Sequence, residues 1–110
     1  MFGSKVSKLE KYVAKNKPKK IIPLLNNKDE SVVLKAIEAL GRCRDEDAFN
    51  VLVPLVHNGN EKVRHAAVLA LGNTGRGKAR VHLEHQRQVE TSEAVKEAIT
   101  EALTNVPKSH

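Results

Sequence analysis

The chain has 110 residues, of which 40% are hydrophobic and 29% are charged, and its formal net charge is +6. No apolar run approaches the roughly 18 residues of a membrane span. Cys43 is the only cysteine, which excludes an intrachain disulfide and a multi-cysteine metal site. The N-terminus has no apolar signal-peptide core, so we expect a single-domain cytoplasmic protein over residues 1–110.

The net charge comes from the segment 1–20, which carries seven lysines and one glutamate. Val6, Leu9 and Val13 recur there at helical spacing with lysines on the opposite side. This pattern predicts an amphipathic basic helix over residues 4–16. We expect the helix to end before Pro18, because a residue that precedes proline avoids the α region.

Three later segments repeat one pattern of valine, alanine and leucine. They begin at Val32, Val63 and Val95, so the period is nearly constant. Such a period is typical of a solenoid of stacked helical hairpins, because one hairpin cannot bury its apolar face alone. We therefore predict an all-α solenoid of about three hairpins, with the repeated segment as the second helix of each. The hairpins are predicted over residues 19–42, 47–73 and 79–104.

The first helix of each hairpin is less uniform. Two of them carry a proline at the same repeat position, Pro23 and Pro54, inside Ile-Ile-Pro-Leu-Leu and Leu-Val-Pro-Leu-Val. Pro23 is predicted to lie in an opening turn, and Pro54 to bend its helix. In the third hairpin, the first helix (residues 79–89) is largely polar, which is typical of a terminal repeat. Its predicted apolar anchors are Val81, Leu83 and Val89.

The second helices carry the end signals expected of helices. The predicted N-caps have short polar side chains that can accept from free backbone N–H groups; they are Asp29, Asn60 and either Thr91 or Ser92. Gly41 and Gly72 are predicted to follow their helices as left-handed residues. The recurring valines, alanines and leucines are predicted to point inward, namely Val32, Val63, Val95, Ala39, Ala70, Ala102, Leu40, Leu71 and Leu103.

The motif from Asp29 to Gly41, echoed from Asn60 to Gly72, resembles the HEAT-like repeats of the phycobilisome-lyase type. The paired proline-containing helices agree with it, and the resemblance covers about residues 19–104, most weakly in the third repeat. It implies a right-handed α-solenoid whose second helices line a concave surface. It also implies protein binding, since most members are scaffolds.

The enzymes among similar repeats are not matched by this chain. Deoxyhypusine hydroxylases bind two irons through His-Glu pairs, but the matching position reads Arg64-His65-Ala66 and no His-Glu pair occurs in the sequence. Nothing identifies a bilin pocket. The glycine-rich segment from Gly72 resembles a P-loop, yet Ala79 replaces the Ser/Thr that would hold magnesium. We therefore expect neither catalysis nor a cofactor.

Histidine and cysteine chemistry is predicted to be absent as well. His82 and His85 lie one turn apart, with His57 elsewhere, but zinc usually needs a third or fourth protein ligand. We interpret the two as part of a polar capping helix. Cys43 lies between Arg42 and Arg44, which could lower its pKa, but no base accompanies it and we interpret it as structural.

The leading hypothesis is a non-catalytic adaptor that binds an unidentified partner protein on its concave face. Exposed leucines ringed by charged side chains suit such a surface. The predicted binding residues are Leu34, Lys35, Glu38, Arg64, His65, Leu69, Glu97 and Glu101.

The alternative is a small nucleic-acid-binding module, because clustered cations can neutralise phosphates. The lysine stripe also fits a solvated helix face, or contact with an anionic membrane or an acidic protein. Dimerisation through a terminal repeat remains open, since three repeats are near the minimum for a stable solenoid. The cations of the nucleic-acid alternative are Lys5, Lys8, Lys11, Lys15, Arg76, Lys78 and Arg80.

Overall fold

The computed structural model describes residues 7–108, and the part of the chain within these bounds is all-α. Three hairpins follow a short N-terminal helix, and the second helices of the hairpins lie side by side. The α-helices are α1 (Leu9–Ala14), α2 (Pro18–Ile21), α3 (Glu30–Arg42), α4 (Glu46–Leu52), α5 (Glu61–Thr74), α6 (Ala79–Val89) and α7 (Glu93–Asn105). Two 3-10 segments, η1 (Ile22–Asn26) and η2 (Val53–His57), continue α2 and α4.

Helix α1 covers only the last part of the predicted basic helix. Its predicted start and Val6 lie outside the described residues. Leu9 is buried and Val13 is partly buried against the core, whereas the lysines within and beside α1 are exposed. The chain leaves this helix through Asn16, which has a positive φ of 50°, and α2 begins at Pro18, where a residue without a backbone N–H is well suited.

The two shared prolines change the type of helix. Pro23 and Pro54 lie within the first two positions of η1 and η2. A proline has no N–H to donate along the helix, and its ring crowds the preceding turn. Pro54 was predicted to bend one continuous helix, and the structure instead continues α4 as a 3-10 segment from Val53 onward.

Helices α3, α5 and α7 form the centre of the fold. The valine, alanine and leucine positions of the repeated motif are all buried, as predicted. Asp29, Asn60 and Ser92 cap the three helices by accepting hydrogen bonds from backbone N–H groups at their first turns. The spacing of apolar residues and the capping residues together therefore determine where each second helix starts and which side it buries.

Gly41 and Gly72 have a different role from the predicted one. Both lie inside α3 and α5 rather than after them, and the left-handed residue that ends α5 is Gly75, with φ of 66°. A Cβ added to Gly41 would lie 2.8 Å from Cα of Ala70, and one added to Gly72 would lie 2.8 Å from Cα of Ala102. These glycines are required because the neighbouring helix backbones approach too closely for any side chain.

The apolar anchors predicted for α6 are also corrected. Val81 and Val89 are 64% and 60% exposed, and the buried positions are Ala79, Leu83 and Gln86. The error has a simple cause, because Val81 and Val89 lie away from the helix side that carries Leu83. The side that contacts α7 and η2 therefore includes a buried glutamine and contributes few apolar atoms.

Candidate protein-binding surface

A groove with an apolar floor lies on the exposed side of α3 and α5. Its volume is about 350 Å³, and it is lined by Leu34, Glu61, Lys62, His65 and Ala66. Leu34, His65 and Ala66 are partly buried, while Glu61 and Lys62 are exposed at its rim. An apolar floor with charges of both signs at its edge suits an apolar side chain of another protein.

The repeat explains why these residues meet. Leu34 and His65 occupy the same motif position in successive hairpins, and Glu97 occupies it in the third. Stacking α3, α5 and α7 therefore aligns three predicted binding residues along one row. Sequence reasoning omitted Ala66, Glu61 and Lys62, although the same alignment of the repeats could have identified the positions beside Leu34 and His65.

The remaining predicted binding residues differ in their surroundings. Lys35, Glu97 and Glu101 are exposed. Leu69 is partly buried and packs against the core. Glu38 accepts a hydrogen bond of 2.9 Å from Arg42, which also binds Glu10 of α1. Arg42 thereby lowers the pKa of Glu10 through a hydrogen bond and its charge, although burial opposes the shift.

Arg64 is engaged within the protein. Its side chain is 15% exposed and lies 3.0 Å from the carboxylate of Glu90, whose side chain is 1% exposed. The Nη1 group also donates to the carbonyl oxygens of Asn58 and Gly59. Arg64 therefore fixes the loop before α5 to the loop before α7, and it could contact a partner only by giving up these bonds.

The environment of Glu90 strongly favours its charged form. Burial would raise its pKa, but hydrogen bonds from Arg64, Gln86 and the backbone N–H of Ser92 outweigh burial, as does the charge of Arg64. The net result lowers the pKa of Glu90 to about 2. Glu90 and Gln86 were not singled out from the sequence, because Arg64 belongs to the preceding hairpin and leaves no local signal near them.

The cations of the predicted nucleic-acid loop also bind acceptors of the same chain. Arg76 and Lys78 pair with Glu46 and lie over the ring of Phe49. Arg80 donates to the carbonyl oxygens of Leu103 and Val106 at the end of α7, and it pairs with Glu84. The hydrogen bond from Lys78 lowers the pKa of Glu46, against a smaller opposing effect of burial.

The lysines of α1 and its ends have a different environment from this loop. Lys8, Lys11 and Lys15 are exposed, and Lys5 lies outside the described residues. The loop stabilises the junction between α4 and α6 and holds the end of α7. The two groups therefore differ in their bonding, because Arg76, Lys78 and Arg80 all pair with acceptors of the same chain even though Lys78 is exposed.

The histidines form two separate contacts. The His57 ring lies against His85, with ring centroids 6.0 Å apart, and His82 lies near Phe49. The Nδ1 atom of His57 is 2.6 Å from Oε1 of Gln86. Within residues 7–108, no group of three or more His, Cys, Asp or Glu side chains is arranged to hold a metal ion.

Cys43 follows α3 and is buried. Burial raises the pKa of its thiol, the charge of Asp45 adds to that shift, and Arg42 opposes it. The neighbouring arginines therefore do not produce a reactive thiolate, contrary to the lowering that their positions in sequence suggested.

Comparison with known protein families agrees with this architecture. The family model for HEAT repeats matches residues 18–104. A search of curated proteins finds no match. None of the helices in the described part of the chain is long and apolar enough to cross a membrane.

Proposed function

We propose that this chain, which belongs to the HEAT-repeat family, is a non-catalytic scaffold that binds a partner protein on the second-helix face. We define this face as the exposed side of α3, α5 and α7. Proteins built from HEAT repeats generally serve as interaction scaffolds, because stacked hairpins present a continuous row of helices. The phycobilisome-lyase subtype, which the repeated motif resembles, is part of this proposal.

The observation that carries the proposal is the groove at Leu34, His65 and Ala66. Its floor is apolar and its volume accommodates a single large side chain. Filling it with a leucine or phenylalanine would contribute about 1.5–3 kcal/mol from removal of apolar surface from water. Such a groove supplies an anchor, and the charged rim supplies orientation.

The rest of the second-helix face extends the proposed contact. The exposed charged residues on this face include Lys35 of α3, Lys62 of α5, and Glu97 and Glu101 of α7. A partner that crosses all three helices would therefore meet charges of both signs on α3 and α5, and the carboxylates of Glu97 and Glu101 on α7. Arg64 supports this face through its bonds to Glu90 and the Asn58 loop, so we assign it no direct contact.

The test is affinity capture from a lysate, with and without nuclease treatment, using the wild type and two matched variants. Leu34→Glu places a charge on the groove floor, and Val81→Glu places the same charge on an exposed valine of α6. We expect proteins captured by the wild type to be retained by Val81→Glu and lost by Leu34→Glu. Circular dichroism of both variants verifies that each keeps the wild-type helix content.

Two results would contradict the proposal. Equal capture by Leu34→Glu and the wild type would remove the groove from the binding surface. Loss of all captured material on nuclease treatment, together with salt-dependent binding to DNA or RNA, would move the function to the lysines at α1.

A further inference from the structure

A chain of hydrogen bonds fixes the orientation of the Gln86 amide. Glu90 receives N–H donors from Arg64 and from the backbone of Ser92, so its carboxylate is an acceptor. The side-chain nitrogen of Gln86 lies 2.8 Å from Oε1 of the same carboxylate. Only the NH₂ group of an amide can donate, and therefore the amide oxygen of Gln86 must point the other way.

This orientation determines the tautomer of His57. The amide oxygen of Gln86 lies 2.6 Å from Nδ1 of His57, and an oxygen at that distance requires a proton on Nδ1. In the neutral ring, Nε2 is then the unprotonated atom. His57 is exposed, so this lone pair is accessible. Metal-binding histidines are commonly held in the same way, with the other ring nitrogen donating to a fixed acceptor.

The second imidazole at this place belongs to His85. It lies on α6, is exposed, and is inclined at 78° to His57 with centroids 6.0 Å apart. At metal–nitrogen distances of about 2.0–2.1 Å, two imidazoles on one tetrahedral ion have centroids roughly 5.2 Å apart. The observed separation is longer than this, and rotation of the exposed His85 side chain can bring the two rings to it.

We propose that His57 and His85 form a two-histidine site for a borderline divalent transition-metal ion such as Zn²⁺. Imidazole nitrogen is a favoured ligand for this class of ion. Since no third protein ligand is arranged there within residues 7–108, water completes the coordination. The site joins η2 of the second hairpin to α6 of the third, and it is independent of the groove at Leu34.

The first measurement determines the tautomer of His57 in the absence of metal. In tag-free ¹⁵N-labelled protein at mildly alkaline pH, long-range ¹H–¹⁵N correlation spectra should show His57 with a protonated Nδ1. Addition of Zn²⁺ should then shift the Nε2 resonance of His57 and the ring nitrogens of His85 at the same titration midpoint. A His57 ring protonated on Nε2 would overturn the proposal, because the metal-binding atom would be blocked.

Matched variants locate the site. His57→Gln and His85→Gln should each weaken Zn²⁺ binding at least tenfold in calorimetry, while His65→Gln should leave it unchanged. His82→Gln separates this site from a pair formed along α6 alone, and it should also leave binding unchanged. Equal weakening by His82→Gln and His85→Gln, or binding that survives both His57→Gln and His85→Gln, would overturn the assignment, as would a complete lack of Zn²⁺ binding.

Discussion

The junction between α3 and α5 and the junction between α5 and α7 are built on one plan. In each, a glycine lies against an alanine, Gly41 on Ala70 and Gly72 on Ala102. The N-cap side chain of each later helix also binds the first glutamate of the helix before it. Asn60 donates to Glu30 at 2.7 Å, and Ser92 donates to Glu61 at 2.7 Å.

The two junctions differ at two equivalent positions. One precedes the later helix (Asn58 or Glu90), and the other lies in the earlier helix (Val33 or Arg64). Asn27 and Asn58 each accept a hydrogen bond from the backbone N–H two residues later, and Glu90 does the same in the third hairpin. The longer glutamate side chain also reaches Arg64 of the preceding hairpin. At the first junction, the position equivalent to Arg64 is Val33.

This difference explains how a polar hairpin stays attached. Helix α6 buries only Ala79, Leu83 and Gln86, so few apolar atoms fix it to the stack. The bonds among Arg64, Glu90 and Gln86 supply part of the missing contact. The second junction therefore depends on charge and pH, whereas the first depends mainly on packing.

The largest expected effect comes from the glycine contact that both junctions share. Gly72→Val places three carbon atoms where the first would already lie 2.8 Å from the backbone of Ala102. We expect the free energy of unfolding to fall by roughly 3 kcal/mol, because overpacked cores must shift backbone. Chemical denaturation measures this value. The matched control is Thr104→Val at the exposed equivalent position, where a change above about 1 kcal/mol would contradict the explanation.

Glu90→Gln should weaken only the junction between α5 and α7, where Glu90 pairs with Arg64. We expect a loss of about 2 kcal/mol at pH 7, as for a hydrogen-bonded charged group. The pKa of Glu90 is about 2 in the folded protein against 4.5 as the ordinary value. Its contribution is therefore fully present above about pH 5 and is lost as the pH falls toward 2.

Denaturation curves across this pH range test the assignment. The difference between wild type and Glu90→Gln should shrink as the pH is lowered, because the wild-type carboxyl becomes protonated. Glu97→Gln serves as control on an exposed carboxylate of α7. A pH-independent difference for Glu90→Gln would show that its charge is unimportant.

The smallest effect concerns the bonds between N-cap side chains and glutamates. Glu61→Gln and Glu93→Gln both remove a negative charge from the first turn of a helix, where it interacts favourably with the helix dipole. Only Glu61 also accepts from an N-cap of the next helix, since Glu93 is 84% exposed and pairs with Lys96. We expect Glu61→Gln to cost about 0.5 kcal/mol more than Glu93→Gln, and equal thermal unfolding midpoints would contradict this.

The sequence predicted the fold better than it predicted the contacts. Alignment of the repeats identified the three second helices, the buried motif positions and the caps Asp29 and Asn60. These features are local or periodic, so one chain is sufficient to find them. The same alignment predicts Leu34 and His65 on one row, and both residues line the groove between α3 and α5.

The errors arose where packing between helices overrides local preference. Gly41 was assigned by the usual role of glycine after a helix, whereas its position is determined by the approach of Ala70. The apolar character of Val81 and Val89 predicts their burial, but Gln86 occupies the buried side of α6. Arg64 was assigned to the surface because its partner, Glu90, belongs to the next hairpin and gives no local signal.

The outer side of α7 has a consequence for how such an array can grow. Where inner helices bury Ile37 and Val68, α7 exposes Thr100 at the equivalent position, so a fourth hairpin placed there would bury hydroxyl groups. Duplicating the middle hairpin is the better route, because it carries both Ala70 and Gly72 and can stack on itself. In the longer protein, Arg64 of the first copy would face Asn58 of the second copy instead of Glu90. Valine would be the better residue at that Arg64 position, as Val33 is at the first junction.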